Sequence, residues 1–362
     1  MTESKCILGP FDVALEEPVY FNITPNVDGK TIQSVEMING FVHRGMESIV
    51  LRRNFLQNLI ITEKVCGLCS NNHPFTYCMA VEKLAHITLP RRAQYLRVIA
   101  DETKRIASHL FNVAMLAHLL KRHTLMGLLL EAREHFQDIK EQIWGNRMDL
   151  SANVIGGVKY DLSPEKIAFM KEKIALTHKM VVEIVKLFET DESLKKRIQG
   201  VGVLPHEKAL SLGVVGPVAR ASGVNNDVRF CAPYAAYDAL SFNVITRHEG
   251  DVYARAMVRL YEIFESMSLL EHAFDALPEG EIALHVKSVV PKGEATSRSE
   301  APRGELMYYL KSNGTQKPER MKWRVPSYMN WEALKVMLKG NAIEDIALIF
   351  NSIDPCISCS ER

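Results

Sequence analysis

The stretch "EKVCGLCSNNHPFTYCMAVEKL" (Glu63–Leu84) and its counterpart "DPCISCSER" (Asp354–Arg362) decide how this chain is read. Each carries a Cys-x-x-Cys pair, Cys66 with Cys69 and Cys356 with Cys359. Four thiolates suit a structural zinc ion, nickel, iron, an iron–sulfur cluster or a redox dithiol. Zinc is the bland reading, because a closed Zn–S4 site needs only four thiolates and no open position. Three details weigh against it. Nearly the whole chain separates Cys69 from Cys356, whereas zinc ribbons close short loops. Both pairs abut helix-like runs rather than turn-rich knuckles. Each also has polar neighbours that a closed site does not need: His73 follows Cys69, and Asp354 precedes Cys356. Such groups hydrogen-bond ligand sulfurs and tune a bound metal.

The bulk composition narrows the classes further. A chain of 362 residues, 47% hydrophobic and 24% charged, is long enough for a sizeable core in one large domain. Basic residues number 44 against 43 acidic, so no global field favours nucleic acid or an anionic membrane. The opening "MTESKCILGPFDV" has no basic region followed by an apolar run, so no secretory signal is expected. The most apolar helical stretch, "LFNVAMLAHLL", is interrupted by His118 and closed by Lys121 and Arg122, which reads as a buried helix rather than a membrane span. With seven cysteines and no export signal, a reducing compartment and metal or redox work are expected in preference to a disulfide framework.

The chain reads as mainly α (α+β), a central bundle of long helices with small β-sheets. Val19, Phe21 and Ile23 alternate with polar residues, and Asp28-Gly29 turns the chain into a second strand. Helical periodicity fills Arg91 to Gly145, through Leu96, Ile99, Ile106, Leu110, Val113, Leu116 and Leu120. Ser163-Pro164 caps the next helix, and another helical region runs from Tyr234 to about Leu277. A strand is expected at "GEIALHVKSVV", and a hairpin turning near Asn313–Pro318 sets Pro302-Arg303 beside Val325-Pro326-Ser327. A last helix, "NWEALKVMLKGNAIEDIALIFNS", leads to the second cysteine pair. Within one domain, 1–362, these give a β-rich part (1–60), a helical core (61–278), a β-hairpin region (279–330) and a C-terminal helix with the metal-binding end (331–362).

Read together, these segments resemble the large subunit of nickel–iron hydrogenases, most closely the energy-converting, Ech-type group 4 branch. The carriers are "EKVCGLCSNNH", with Lys64 where the family usually has Arg, "DPCISCSER", "HRGMES", "APRGEL", "VPSYMNW" and "GPFDVALEEP", six segments in the family's order. The resemblance implies the nickel–iron hydrogenase large-subunit fold, shared with the complex I 49-kDa subunit. It implies reversible heterolytic H2 cleavage and proton reduction at a nickel–iron centre held by all four cysteines. Cys69 and Cys359 would bridge to an iron carrying carbonyl and cyanide, and Cys66 and Cys356 would be terminal on nickel. His73 would donate to a bridging sulfur. Glu17, with Glu16 adjacent, matches the proton-relay glutamate. Arg303 would stand over the open site, held by Asp354. Pro302, Pro326 and Ser327 would line the iron's ligands.

Glu47 matches a ligand of a second metal, magnesium or iron, in relatives. Here the chain departs from the family pattern, because Arg362 stands where many relatives have a histidine ligand, and a guanidinium cannot ligate, so an ion pair of Glu47 with an arginine is the alternative expectation. The helix that starts at Arg91 also lacks the aspartate that other hydrogenases place near the arginine, its nearest positions being His118 and Leu119; His109 and His118 read as core or helix-face residues. Cys6, Cys78 and Cys231 cannot hold another cluster, so electrons would leave through iron–sulfur clusters of partner subunits. The implied partners are a small subunit carrying a proximal cluster, further iron–sulfur and membrane ion-translocating subunits, and ferredoxin. The implied place is peripheral, on the cytoplasmic side of the cell membrane. A maturation endopeptidase removes a C-terminal extension in relatives that have one, and Arg362 matches the mature end. The competing readings are a metal-free complex I-type 49-kDa quinone-site subunit, which typically lacks these thiols, and a zinc-stabilised scaffold.

Overall fold

The computed structural model describes residues 6–12, 15 and 17–362. The alternation at Val19, Phe21 and Ile23 folds as expected, with all three side chains fully buried on one face of a three-stranded antiparallel sheet. Its strands are Cys6–Leu8, Tyr20–Pro25 and Ile32–Ile38, in that order. Asp28 organises the turn, its carboxylate accepting the Lys30 and Thr31 N–H groups. The last strand is stitched to the far end of the chain: Ile32 donates its N–H to the Asn341 carbonyl, and Gly340 donates back to Ile32.

Four long helices form the centre, Arg91–Leu119, His123–Trp144, Pro164–Thr190 and Val252–Asp275. The helical run expected from Arg91 to Gly145 is two helices, because Lys121 takes a left-handed conformation (φ 57°) and reverses the chain. Ser163 caps the third helix by accepting the Lys166 N–H, with proline at the first helical position. The helix expected from Tyr234 begins only at Val252, where the Asp251 carboxylate accepts the Ala254 N–H. Before it the chain makes one 3-10 turn, Tyr237–Ala239.

The strand expected at "GEIALHVKSVV" does not form. That segment runs mostly exposed and makes a single bridge, Ala283 to Gly157. Alternation without a neighbouring strand to accept its hydrogen bonds does not make a sheet. The second three-stranded sheet begins at Gly293, with strands Gly293–Ala301, Gly304–Ser312 and Pro318–Arg324 in sequence order. The final helical pattern is interrupted at Gly340 (φ 82°), giving Pro326–Leu338 and Ile346–Ser352.

The Arg91–Leu119 helix is surrounded by His123–Trp144, Val252–Asp275 and Ile346–Ser352. Its middle, "DETKRIASH", looks like a solvated face, yet Asp101, Glu102, Lys104, Arg105 and His109 are all buried. Their charges are met by other elements. Arg105 and Arg229 both donate to Glu102, Arg229 also pairs with Asp227 at 2.6 Å, and Arg220 joins Glu262 and Glu300 at 2.7 Å each. Burial drives the His109 ring down to about 4, so it is neutral and donates from Nε2 to Glu262 at 2.9 Å. A buried charge is tolerated only when paired, and removing one partner costs more than the pair contributes.

Glu82 and Arg97 test this most simply, as a fully buried fork of 2.8 and 2.6 Å bonds. The Glu82→Leu variant is expected to lose about 3–5 kcal/mol of stability by stranding the guanidinium. Chemical denaturation measures it, and a loss below about 1 kcal/mol would mean that water reaches Arg97.

Candidate metal centre

The first cysteine pair lies in the turn between helices Phe55–Glu63 and Asn72–Leu84. The second opens the short helix Ile357–Ser360, after Asp354 in a left-handed conformation (φ 53°) that aspartate tolerates better than most residues. Folding brings both turns together: the four Sγ atoms lie within 4.8 Å of one another, and all four residues are buried. All are free thiols, with Cys66 and Cys356 sulfurs 3.1 Å apart.

Four thiolates so close in a dry site cannot all be ionised without a cation between them. Hydrogen bonds from Cys356 and Cys359 hold Cys66 and Cys69 below the ordinary thiol range, while burial pushes Cys356 and Cys359 well above it. The protein alone thus favours the charged form at two sulfurs and the neutral form at the other two, a conflict that a soft divalent ion would resolve. The residues present fit a tetrathiolate metal centre.

Arg303 sits in the tight turn joining Gly293–Ala301 to Gly304–Ser312. Glycine at 304 (φ 124°) is required there, because a Cβ would come within 2.7 Å of the Gly216 nitrogen. The guanidinium reaches the centre, with Nη1 3.5 Å from the Cys69 sulfur and 3.2 Å from Ser108 Oγ. Nη2 donates to Asp354 Oδ1 at 2.6 Å. Arg303 Nε and Asp354 Oδ2 are buried without a partner among the described residues, donor and acceptor capacity beyond what the protein uses.

His73 lies between Cys359 Sγ, 3.3 Å from its Nε2, and the Tyr308 hydroxyl, 2.7 Å from its Nδ1. Burial lowers the ring to about 4 and raises the Tyr308 phenol well above its usual range. The phenol therefore donates to Nδ1, which leaves the proton on Nε2 directed at Cys359. Ser327, next to Pro326 at the start of helix Pro326–Leu338, accepts the Cys356 N–H at 2.9 Å. Pro302 precedes Arg303 in its turn and is buried.

Glu17 accepts the Ser358 N–H on Oε2 at 2.8 Å. Burial first, and then the Cys66 charge, push its carboxyl up to about 7. Glu16 lies outside the described residues. Glu47 makes the ion pair with an arginine that its motif left open. Its Oε1 accepts from Arg362 Nε at 3.0 Å and its Oε2 from Lys322 Nζ, so both oxygens already serve cations.

Several participants escaped the sequence. Ser108, ten positions before His118, is the helix residue that meets Arg303. His118 is exposed on the helix face. Lys104 donates to the carbonyls of Gly67, between the first two cysteines, and of Met148, and so holds the Cys66–Cys69 turn. Tyr308 fixes His73. Asp101, Lys104 and Ser108 recur at helical spacing, but Glu102, Thr103, Arg105 and His109 share the stretch, so the sequence does not single out the face that meets the site.

Comparison with known proteins places this geometry in a family. A family described as "Nickel-dependent hydrogenase" matches residues 44–119, and one described as "Respiratory-chain NADH dehydrogenase, 49 Kd subunit" matches 120–290 and 284–362. Over 356 residues the chain is 52% identical to the "Carbon monoxide-induced hydrogenase" of Rhodospirillum rubrum, covering 98% of each. The chain belongs to the group 4 nickel–iron hydrogenase large subunits. This group 4 subunit is also 37% identical over 374 residues to the "Membrane-bound hydrogenase subunit alpha" of Pyrococcus furiosus, across 99% of this chain and 87% of that one. A solved structure described as the membrane-bound sulfane sulfur reductase, "an archaeal respiratory membrane complex", superposes with a TM-score of 0.94 at 28% identity, over 99% of this chain and 98% of that one. As a member of this group the chain is a hydrogenase catalytic subunit, an oxidoreductase, with the complex I-related fold expected from its sequence.

Proposed function

We propose that Cys66, Cys69, Cys356 and Cys359 would together hold a nickel–iron centre, and that the chain interconverts H2 with two protons and two electrons. The buried quartet with Arg303 and His73 against its sulfurs is the observation that carries this reading. The chemistry such a centre supplies is reversible heterolytic splitting of H2.

The chain's own residues do the rest. Arg303 keeps a fixed positive charge beside Cys69, oriented by Asp354 and Ser108. The neutral His73 donates to Cys359 and steadies its charge without titrating near neutral pH. Ser327 Oγ accepts the Cys356 N–H, which leaves its own proton free to donate to a small anionic ligand that such a centre would carry, and the buried Pro302 and Pro326 would keep that side dry. The Glu17 carboxyl, anchored on Oε2 by Ser358, takes protons from the thiolate side at Oε1.

The electrons leave through other chains. Among the described residues the quartet is the one group of three or more close metal-ligating side chains, so a cluster wire belongs to a small subunit with a proximal iron–sulfur cluster. Further iron–sulfur and ion-translocating membrane subunits, with ferredoxin as redox partner, complete the reading. The relatives described as membrane-bound and as a respiratory membrane complex support it. No helix among the described residues is long and apolar enough to cross a membrane. The reading places the chain as a peripheral subunit on the cytoplasmic face.

Metal analysis with infrared spectroscopy of the purified complex tests the assignment. Nickel stoichiometric with the chain, and bands of metal-bound carbonyl and cyanide, are expected. Zinc in place of nickel would leave a structural site, and no metal at all would favour a quinone-site subunit.

A further inference from the structure

Glu47 begins the helix Met46–Val50 beside a hollow of about 350 Å³. His43, Arg320, Lys322 and Arg362 line that hollow with it, so one carboxylate faces three permanent cations. Arg362 also donates to the Ser360 carbonyl at 3.1 Å and sets its guanidinium 5.8 Å from the Tyr328 ring centre. A magnesium ion takes about six oxygens, commonly one or two carboxylates with several waters. Here both oxygens of the one carboxylate already serve cations, and arginine offers no lone pair to a metal. The residues present do not fit a second metal.

They fit a clasp instead. The Glu361 carboxylate accepts the N–H groups of Gly40 and Val42 at 2.5 and 2.6 Å, and its carbonyl meets His43 Nδ1 at 2.5 Å. Arg44 reaches the carbonyls of Val65 at 2.6 Å and Ser358 at 3.3 Å, so one side chain spans both cysteine turns. All but the bond to Val65 tie residues 40–44 to the turn that carries Cys359.

We infer that the Cys359 turn is closed by a metal-free clasp, in which the Arg362 guanidinium and the Lys322 ammonium, carried by the chain itself, neutralise Glu47 where a bound divalent ion would otherwise be needed. The inference rests on the assignment of Cys359 as a ligand of the nickel–iron centre, but its test does not. Two charged hydrogen bonds hold Glu47, each contributing about 1.5–3 kcal/mol, so losing one loosens the turn about tenfold or more.

The experiment uses the purified holoenzyme complex. Magnesium and chelator-labile iron are counted per chain, and the melting temperature is followed with EDTA and with added Mg2+. Hydrogen–deuterium exchange of the peptide over residues 355–362 is compared in wild type, E47Q, R362A and the double variant. The clasp predicts no stoichiometric magnesium or labile iron and no melting shift with either addition. It also predicts exchange about tenfold faster in each single variant, and a double variant that falls short of the product of the two, because the Glu47–Arg362 bond is lost in both. A stoichiometric ion whose removal lowers the melting temperature would overturn it, as would fully additive effects in the double variant. Should a variant fail to assemble, the wild-type ion count and chelator response still decide. Missing nickel would instead sink the catalytic assignment and leave these results standing.

Discussion

The Cys356→Ser variant is expected to lose H2/D+ exchange by more than about 10²-fold, beyond the range typical of losing a group that merely supports a ligand. A serine hydroxyl ionises far less readily than a thiol and is a harder donor, so the quartet becomes three soft ligands around a gap. Nickel content should fall with activity, because the binding energy of the metal comes from preassembled thiolates. The Cys78→Ser variant is the control. Cys78 is buried, and burial pushes its thiol above the usual range, but it is not part of the quartet. Mass-spectrometric exchange and metal counting on both variants check the expectation. Retained exchange with nickel bound in the Cys356→Ser protein would show that this sulfur is not a ligand.

The second large effect concerns Glu17. Glutamine keeps the shape of the side chain and an oxygen for the Ser358 N–H, but it cannot carry a proton. The Glu17→Gln variant should therefore retain its nickel and its infrared bands while exchange falls by about 10²–10⁴-fold, the span usual for a general acid–base group. That separation of loading from turnover is what a purely structural role would not produce. If exchange stays within about threefold of wild type, protons leave by another path.

These residues also show how far the sequence could be read. The two Cys-x-x-Cys pairs were legible because ligand chemistry requires that spacing, and the N-terminal strands because alternation maps directly onto one buried face. Asp354 and Arg303 could be paired only through the family resemblance, since nothing local links a turn to a residue 51 positions away. Ser108, Tyr308 and Lys104 were missed for a related reason. A polar residue inside a helix or strand pattern carries no sign of whether it meets water or a site. "DETKR" illustrates this: its composition suggests a solvated face, and partners on distant elements, among them Arg229, Tyr237 and Asn72, make its burial tolerable. Glu47 shows the reverse case. Its motif was read correctly as a motif, but the chemistry of that spot depends on Lys322, a strand residue that no motif names.

The meeting of Cys66 with Cys356, 290 positions apart, has a consequence in time. A ribosome adds roughly 5–20 residues per second, so the first pair of thiols emerges on the order of 15–60 seconds before the second exists. Throughout that interval the early pair is half a ligand set, open to oxidation or to capture by a competing soft metal. The scaffold that receives the late pair, the Arg91–Leu119 helix and its buried counter-charges, is already made. A metal centre held by all four sulfurs would therefore be completed only after synthesis, when the last turn docks against residues 40–47.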